Sequence, residues 1–332
     1  MSDTRLAQLT SWLAERLAGT AFSIAPASAD ASFRRYFRVS MPGRTLIAMD
    51  APPPQEKCQP FVTVARLLRG AGINAPDVIA EDLQRGFLLL SDLGNETYLA
   101  GLNPASAPAL YRDAITTLVR MQASAAADSL PAYDEALLRR ELTLYPEWYV
   151  ARHLQITWSP GEYAAWERGC ATLLANNLAQ PAVFVHRDYH SRNLMVCPDN
   201  PGVLDFQDAV RGPITYDLVS LLKDAYISWD EAFVLDQVAR YWEEARGAGL
   251  PVDPDFGAFY RDFEWMGVQR QLKVLGIFAR LFHRDGKPAY LDDMPRVAAG
   301  LRTACARYSE LKPLAALVDR AEQTPIHAGL TF

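Results

Sequence analysis

The chain has 332 residues, of which 50% are hydrophobic and 22% are charged, with a formal net charge of −6. This balance is typical of a globular protein and argues against long disordered regions, and the negative charge argues against a dedicated nucleic-acid-binding protein. No apolar run approaches the ~18 residues that cross a bilayer, and the chain does not start with a signal-peptide pattern. We therefore expect a soluble cytoplasmic protein that binds neither nucleic acid nor membrane.

The first third of the chain is predicted to be rich in strands. Alternating bulky and basic residues predict a strand over residues 33–40, and turn residues separate it from a second strand over 44–50. A helix is predicted over residues 61–69, since its apolar residues recur with helical spacing and glycines follow it. Two further strands, over residues 78–82 and 87–92, flank a turn and predict a hairpin.

From about residue 104 the hydrophobic period changes to 3.6, which predicts amphipathic helices over residues 105–123, 137–154 and 160–178. Short apolar runs follow, and helical patterns resume at Tyr216. This order predicts an α+β fold with two lobes. Residues 1–92 would form a small lobe built on an antiparallel sheet, and residues 93–332 would form a larger helical lobe.

Polar residues that can carry chemistry are concentrated in one stretch of the chain. Residues 185–194 read Val-His-Arg-Asp-Tyr-His-Ser-Arg-Asn-Leu, and residues 203–206 read Val-Leu-Asp-Phe. Asp205 ends an apolar run that can pair back and place its carboxylate beside Asn193. A carboxylate and an amide oxygen together suit a hard cation such as Mg²⁺. Asp188 then remains available to accept a proton.

This H-x-D-x-x-x-x-N pattern followed by Asp-Phe resembles that of kinase-fold phosphotransferases. The chain is most similar to their aminoglycoside phosphotransferase and choline kinase branch, because Gln207 follows Asp-Phe and no A-P-E motif is present. The resemblance implies a bilobal protein-kinase-like fold, ATP and Mg²⁺ as cofactors, and Asp188 as the catalytic base. It implies that the lobe over residues 1–92 binds the nucleotide and that the lobe over residues 93–332 carries the catalytic loop and the substrate-binding helices. It also implies that Asn193 and Asp205 bind the metal. His186 and Asp217 would support the catalytic loop, although Asp217 alone also suits a helix N-terminal cap.

Within this branch, four segments resemble the bacterial anomeric amino-sugar kinases. They are residues 31–38, 46–53, 90–94 and 145–149. That group phosphorylates the C1 hydroxyl of N-acetylmuramate and N-acetylglucosamine in cell-wall peptidoglycan recycling. The resemblance spans nearly the whole chain. It implies an ATP-dependent sugar 1-kinase with a small amino-sugar substrate, and we expect a monomer.

The sequence departs from the general kinase pattern on the strand over residues 44–50. The position of the lysine that holds the ATP phosphates in kinases is Met49, and no lysine precedes Lys57. Arg34 or Arg35 is the natural replacement, because guanidinium binds phosphate oxygens in bidentate geometry. Backbone N–H groups of the tight loop at Ser32 and Phe33 would add donors. The alternative is that both arginines simply cover a solvent-facing strand.

Other contacts are less defined by the sequence. The resemblance implies that the backbone near Asp92 and Leu93 pairs with the adenine edge. Glu147, Trp148 and Tyr149 would contact the sugar, since aromatic rings stack on sugar faces and carboxylates bind hydroxyls. The alternative is that Trp148 is a residue of the hydrophobic core. Arg270, with Lys273, would meet the carboxylate of N-acetylmuramate, or would belong to a solvated helix face.

Three alternative functions remain open from the sequence. The chain could be a kinase of an aminoglycoside, choline or homoserine. It could also be a catalytically inactive kinase-fold binding module, which the Met49 position favours and the intact Asp188, Asn193 and Asp205 oppose. A protein kinase is the third alternative, disfavoured by the missing activation-segment motif.

Overall fold

A computed structural model describes residues 3–29 and 33–323. The α-helices are α1 (Thr4–Arg16), α2 (Cys58–Gly70), α3 (Tyr98–Gly101), α4 (Ala107–Ser124), α5 (Glu135–Leu144), α6 (Pro160–Ala179), α7 (Tyr216–Leu222), α8 (Glu231–Gly247), α9 (Phe256–Asp285), α10 (Met294–Arg307) and α11 (Lys312–Gln323). The strands are β1 (Ser23–Ala29), β2 (Arg35–Met41), β3 (Arg44–Asp50), β4 (Val78–Asp82), β5 (Phe87–Ser91), β6 (Ala182–Val185), β7 (Leu194–Met195), β8 (Gly202–Val203) and β9 (Val210–Pro213). A π-helix (Tyr145–His153) and two short 3₁₀-helices (Pro288–Asp293 and Ser309–Leu311) complete the described elements. Within these residues, no helix combines the length and the apolar character that a membrane span requires.

The chain divides into two compact units. The first comprises Met1–Ala126 and Arg192–Ala209, and the second comprises Ala127–Ser191 and Val210–Phe332. The predicted lobe boundary after Asp92 falls inside the first unit. The chain passes from the second unit back to the first between Ser191 and Arg192, within the polar stretch that the sequence singles out.

The first unit is built on a five-stranded antiparallel sheet with the strand order β1-β2-β3-β5-β4. The predicted strands over residues 44–50 and 78–82 are confirmed, and the predicted hairpin is the β4–β5 pair. β1 was not predicted, because Pro26 interrupts its alternation of side chains. Proline is tolerated in β1 because it is an edge strand that pairs only with β2, and the pairing is irregular between Pro26 and Ser28.

The strand register assigns side chains to the two faces of this sheet, since residues directly opposite each other share a face. One face packs on the amphipathic helix α1. Its buried cluster contains Leu9, Trp12, Leu13, Leu17, Phe37, Val39, Met41, Leu46, Ala48, Phe87 and Leu89. The other face carries Tyr36 opposite Met49, and Ile47 opposite both Arg38 and Leu90. This second face is the one that carries the candidate site of the first unit.

The second unit is mainly helical, and the 30-residue helix α9 contacts most of its elements. The single helix predicted over residues 137–154 is instead α5 followed by the π-helix. Pro146 explains the change, because it has no N–H to donate to the preceding turn, and a π-helix accommodates such a gap in the hydrogen-bond ladder. The two-stranded sheet β6–β9 is antiparallel.

Gly276 allows α9 to pack directly on the end of α5. A Cβ atom at this position would lie 2.4 Å from the carbonyl carbon of Leu144 and 2.5 Å from its oxygen, closer than real Cβ contacts. We expect Gly276→Ala to lower the free energy of unfolding by about 1–3 kcal/mol, the usual cost of overpacking, as measured by urea denaturation. Gly247→Ala is the control, because no atom lies within 4 Å of its added Cβ. A Gly276→Ala protein as stable as wild type would contradict this close approach.

Candidate functional site

The first unit contains a cavity of about 440 Å³ beside the second face of the sheet. Its apolar lining includes Ile47, Leu90, Met195 and Leu204, and its polar lining includes Asn193, Asp205, Arg192 and residues 91–95. An apolar cavity with a few convergent polar groups and an adjacent stretch of irregular backbone is typical of a small-molecule site. The predicted residues Asp92, Leu93, Asn193 and Asp205 all line this one cavity.

Arg38 fixes the conformation of the backbone at residues 92–95. Its Nε donates to Asp92 Oδ2 at 2.7 Å, and its Nη2 donates to Asp92 Oδ1 at 3.1 Å and to the Gly94 carbonyl at 2.9 Å. Burial acts to raise the pKa of Asp92, but hydrogen bonds from Arg38 and Thr45 lower it below its ordinary value. Because the Asp92 carboxylate is occupied by Arg38, it is not available to a ligand, whereas the backbone groups of this segment are held in a fixed conformation.

Asn193 and Asp205 are brought together by the short antiparallel pair β7–β8. Leu194 lies opposite Val203, and the Leu204 N–H donates to the Asn193 carbonyl at 2.9 Å. As the sequence predicts, the two side chains are adjacent: Asn193 Nδ2 lies 3.3 Å from Asp205 Oδ2. Asp205 has a φ of +61°, which is uncommon for a residue with a side chain and is typical of functional positions.

The donor set of this pair fits Mg²⁺. The cation prefers hard oxygen ligands and is usually held by one or two carboxylates together with phosphate oxygens and water. Asp205 supplies a carboxylate and Asn193 supplies an amide oxygen, and Gln207 Nε2 donates to Asp205 Oδ1 at 2.9 Å and orients it. Among residues 3–29 and 33–323 there is no group of three or more histidine, cysteine and acidic side chains that would form a closed metal cage.

The register separates the two arginines that the sequence left as alternatives. Arg35 lies opposite Asp50 on the face covered by α1, where its Nε donates to Asp50 Oδ2 at 3.1 Å and its Nη1 contacts Asp3. Arg5 donates to the same Asp50 carboxylate, which is fully buried. Arg35 therefore belongs to a cluster that ties α1 to the sheet.

Arg34 has different surroundings. Its Nη2 pairs with Glu56 at 3.1 Å, and its side chain is mostly buried. Burial acts to lower the pKa of Arg34, but the negative charges around it, which include Asp205 and Asp208, raise it above the ordinary value. Phe33 is 68% exposed, and its N–H donates to Glu56 at 3.3 Å. Ser32 lies outside the described residues.

In the second unit, Asp217 holds the backbone of the polar stretch. Its two carboxylate oxygens accept the N–H groups of His186 at 2.6 Å and Arg187 at 2.9 Å. Complete burial raises the pKa of Asp217 to about 7, although these two hydrogen bonds act to lower it. Arg187 has a φ of +78°, so the chain turns sharply before Asp188. The first turn of α7, which carries Asp217, thus determines the direction of the loop.

Asp188 is surrounded by positive charge. Its N–H donates to His186 Nδ1 at 3.3 Å, which makes this ring nitrogen an acceptor. Burial acts to raise the pKa of Asp188, but the charges of Lys273, His190, Arg270 and Arg187 lower it to about 2. The carboxylate is therefore ionised at neutral pH and can accept a hydrogen bond from a hydroxyl group.

Glu141 organises part of this positive charge and was missed by the sequence analysis. It accepts from Arg187 Nη2 at 2.7 Å, from Lys273 Nζ at 3.0 Å and from the hydroxyl of Tyr133. Burial acts to raise the pKa of Glu141, but Lys273 and Arg187 lower it. The only signal in the sequence is a carboxylate between the core residues Leu138 and Leu142, on the apolar side of α5.

The residues predicted to contact a sugar have diverse environments. Glu147 is exposed, and the guanidinium of Arg152 lies 4.0 Å from the ring centroid of Trp148. Tyr149 is buried in an aromatic cluster, stacks on Tyr145 at 5.3 Å and donates its hydroxyl to Glu322 at 2.8 Å. Its contacts are therefore those of a core residue. Arg270 is buried on α9, and its positive charge helps to lower the pKa of Asp188.

Comparison with known proteins identifies the family. A family model described as "Phosphotransferase enzyme family" matches residues 23–250. The chain belongs to this family. The phosphotransferase is also 52% identical, over 97% of its length and 98% of the relative, to an N-acetylmuramate/N-acetylglucosamine kinase from Pseudomonas aeruginosa. A relative of the same name from Neisseria meningitidis is 47% identical over 99% of both chains.

Solved structures support the fold of the phosphotransferase. A choline/ethanolamine kinase family protein from Mesorhizobium loti matches with a TM-score of 0.64 and 15% identity, over 96% of this chain and 100% of that one. An aminoglycoside phosphotransferase solved as a streptomycin–ATP ternary complex matches with a TM-score of 0.59 and 13% identity, over 90% of this chain and 97% of that one. The predicted kinase-like α+β fold class is therefore confirmed.

Proposed function

We propose that this phosphotransferase transfers the γ-phosphoryl group of ATP to the C1 hydroxyl of N-acetylmuramate and N-acetylglucosamine. The observation that carries the proposal is the near-full-length identity of 52% and 47% to two kinases named for these sugars. Such a reaction belongs to the recycling of cell-wall peptidoglycan in the cytoplasm. The two groups of polar residues described above provide complementary chemistry for it.

In the first unit, the apolar cavity would hold the adenine ring, and the backbone at Asp92 and Leu93 would bind its edge. The side-chain oxygens of Asn193 and Asp205 would hold Mg²⁺, which supplies neutralisation of phosphate charge when bound. Arg34 would supply the positively charged side chain for the ATP phosphates that is missing at Met49. Its guanidinium is close enough to Asp205 for the charge of that carboxylate to raise the pKa of Arg34.

In the second unit, Asp188 would accept a hydrogen bond from the sugar hydroxyl and then its proton. Its low pKa makes it a weak base, so its main tasks are to orient the hydroxyl and to receive the proton late in the transfer. This suits phosphoryl transfer, in which positioning and charge neutralisation supply most of the rate enhancement. His186 and Asp217 would keep the loop in the required conformation. Asp188 and Asn193 are only five residues apart in the chain, which supports their action in one reaction.

An acceptor screen tests the proposal. ATP consumption is measured with N-acetylmuramate, N-acetylglucosamine, an aminoglycoside, choline and homoserine, and ³¹P NMR identifies the product. We expect turnover of the two amino sugars with formation of a sugar 1-phosphate. The matched control is the methyl glycoside of N-acetylglucosamine, which has no free C1 hydroxyl and should be inert. Turnover of the methyl glycoside would overturn the proposal. So would turnover of choline, homoserine or the aminoglycoside without turnover of either amino sugar, or a failure to phosphorylate any of the acceptors.

Arg34 and Arg35 should respond differently to replacement by alanine. We expect Arg34→Ala to raise the KM for ATP about thirtyfold, because a lost phosphate contact of a guanidinium costs on the order of 2 kcal/mol. Arg35→Ala should leave this KM within about threefold but lower the melting temperature, because it removes a partner of the buried Asp50. Steady-state kinetics and thermal unfolding measure the two effects.

The control for both arginines is Lys57→Ala, since Lys57 is exposed at the start of α2. It should change neither the KM for ATP nor the stability. An increase of KM in the Lys57 variant combined with wild-type kinetics in the Arg34 variant would show that α2, rather than the residue before β2, supplies the phosphate cation.

A further inference from the structure

Helix α9 carries an unusual number of buried polar side chains on its central turns. They are Glu264, Gln269, Arg270, Gln271 and Lys273, each less than a tenth exposed. Charged side chains are rarely buried to this degree unless they are paired, because removing a charge from water is costly. The sequence pattern alone is compatible with a solvated helix face, and the structure excludes that interpretation for Arg270 and Lys273.

Two of the three buried charges on these turns are fully paired. Glu264 accepts from Lys223 Nζ at 2.6 Å and from Arg307 Nη1 at 2.9 Å. Lys273 pairs with Glu141 at 3.0 Å and donates to the Tyr216 hydroxyl at 2.8 Å. Their burial is explained by these partners, and neither has a charge left for a ligand.

Arg270 differs from both. Within the described ranges 3–29 and 33–323, its guanidinium makes no hydrogen bond and no ion pair, and its Nε is buried without an acceptor. Its nearest aromatic contact is the Tyr216 ring, whose centroid lies 5.9 Å from Cζ. Arg270 is only 5% exposed, and although the carboxylates of Asp188 and Asp224 favour its charged form, none of its planar donors is hydrogen-bonded to the protein within these ranges. Because a buried donor without an acceptor is costly, this guanidinium is a candidate group for binding a ligand.

The position of Arg270 defines the chemistry of that ligand. Tyr216 directly precedes Asp217, which binds the backbone N–H groups before Asp188, so Arg270 is packed against the element that holds the catalytic loop. The charge of Arg270 also acts on Asp188. Guanidinium is best matched by a carboxylate or a phosphate, which it binds through two parallel hydrogen bonds. The ligand is therefore an anionic group on a molecule that reaches Asp188.

We propose that Arg270 binds the carboxylate of an acidic amino-sugar acceptor, the lactyl group of N-acetylmuramate, and so distinguishes this sugar from neutral ones. The inference rests on the proposed function. The lactyl group is attached at C3, two ring carbons from C1, so one acceptor can present a hydroxyl to Asp188 and a carboxylate to Arg270. N-acetylglucosamine lacks the carboxylate and leaves the guanidinium unsatisfied.

The test compares wild type with Arg270→Gln, using N-acetylmuramate and its neutral carboxamide as paired substrates. The ratio of kcat/KM for acid over amide should fall about thirtyfold in the variant. Loss of Arg270 also changes the field at Asp188, but this effect is common to both substrates and cancels in the ratio. Arg261→Gln, an exposed arginine on the same helix, is the matched control and should preserve the ratio.

The outcomes separate this inference from the proposed function. Wild-type enzyme that turns over neither sugar overturns the proposed function. Wild-type enzyme that uses acid and amide equally well overturns the role of Arg270, even if Arg270→Gln fails to fold. An equal loss with both substrates in Arg270→Gln also overturns it, because the guanidinium then acts on a step that both substrates share and not on the carboxylate. A ratio that falls in Arg270→Gln and partly recovers in Arg270→Lys supports the proposal, because lysine restores the charge without the bidentate geometry.

Discussion

Replacement of Asp188 by asparagine is expected to lower kcat by at least about a hundredfold, the usual contribution of a positioned acid–base group. The amide preserves the shape of the side chain but cannot take the proton of the acceptor hydroxyl. It also removes a negative charge that faces Lys273, Arg270 and Arg187, so these cations lose a common counterion. Single-turnover kinetics with saturating ATP would show the loss in the chemical step, whereas titration with a non-hydrolysable ATP analogue should give nearly the wild-type affinity.

The matched control for this variant is Asp292→Asn, which makes the same chemical change at an exposed position. Its kcat should equal that of wild type. If Asp188→Asn retained more than about a tenth of the wild-type kcat, proton acceptance by Asp188 would be untenable. If the nucleotide affinity fell together with kcat, the carboxylate would serve nucleotide binding instead.

Replacement of Asp205 by alanine should abolish Mg²⁺-dependent nucleotide binding and should be more severe than Asn193→Ala. A carboxylate offers a full charge to the cation, whereas an amide offers only a dipole. The loss of Asp205 also leaves the amide groups of Asn193 and Gln207 without the acceptor that they share. Calorimetric titration of the ATP analogue into each variant, with and without Mg²⁺, shows which variant loses more nucleotide affinity.

Titration in the presence of a chelator is the internal control for the metal assignment. Without Mg²⁺, wild type and both variants should bind the nucleotide with similar weak affinity, because the cavity wall and the Asp92–Leu93 backbone are unchanged. Equal affinity of all three proteins in the presence of Mg²⁺ would remove Asn193 and Asp205 as metal ligands. A larger loss in Asn193→Ala than in Asp205→Ala would reverse the roles of the two side chains.

Features that depend on short stretches of chain could be predicted from the sequence. The strand β3 and the β4–β5 hairpin have local hydrophobic periods and turn residues, and both were predicted within one or two residues. The adjacency of Asn193 and Asp205 was predictable for the same reason, because neighbouring apolar runs that pair back bring residues twelve positions apart together. The edge strand β1 and the π-helix were not predictable, since each depends on how a proline is accommodated by its neighbours.

Features that depend on long-range packing could not be predicted. Arg34 and Arg35 are adjacent and chemically identical in the sequence, and only the pairing of β2 with β3 places Arg35 on the α1 face. Arg270 has the sequence context of a solvated residue, yet α9 is enclosed by other helices of its unit. The ion pair between Glu141 and Arg187 joins residues 46 positions apart, so no local sequence pattern predicts it.

The absence of lysine from the described lining of the first unit's cavity has a practical consequence for chemical proteomics. Reagents that survey ATP-using enzymes by acylating an amine beside the bound phosphates need a lysine within reach. The sequence contains lysine only at positions 57, 223, 273, 287 and 312, and none of these lines the cavity. If the nucleotide binds in this cavity as proposed, such a survey would find no lysine in the cavity lining to modify. A guanidine-selective dicarbonyl reagent is the appropriate warhead, and protection by ATP would report which arginine it modifies.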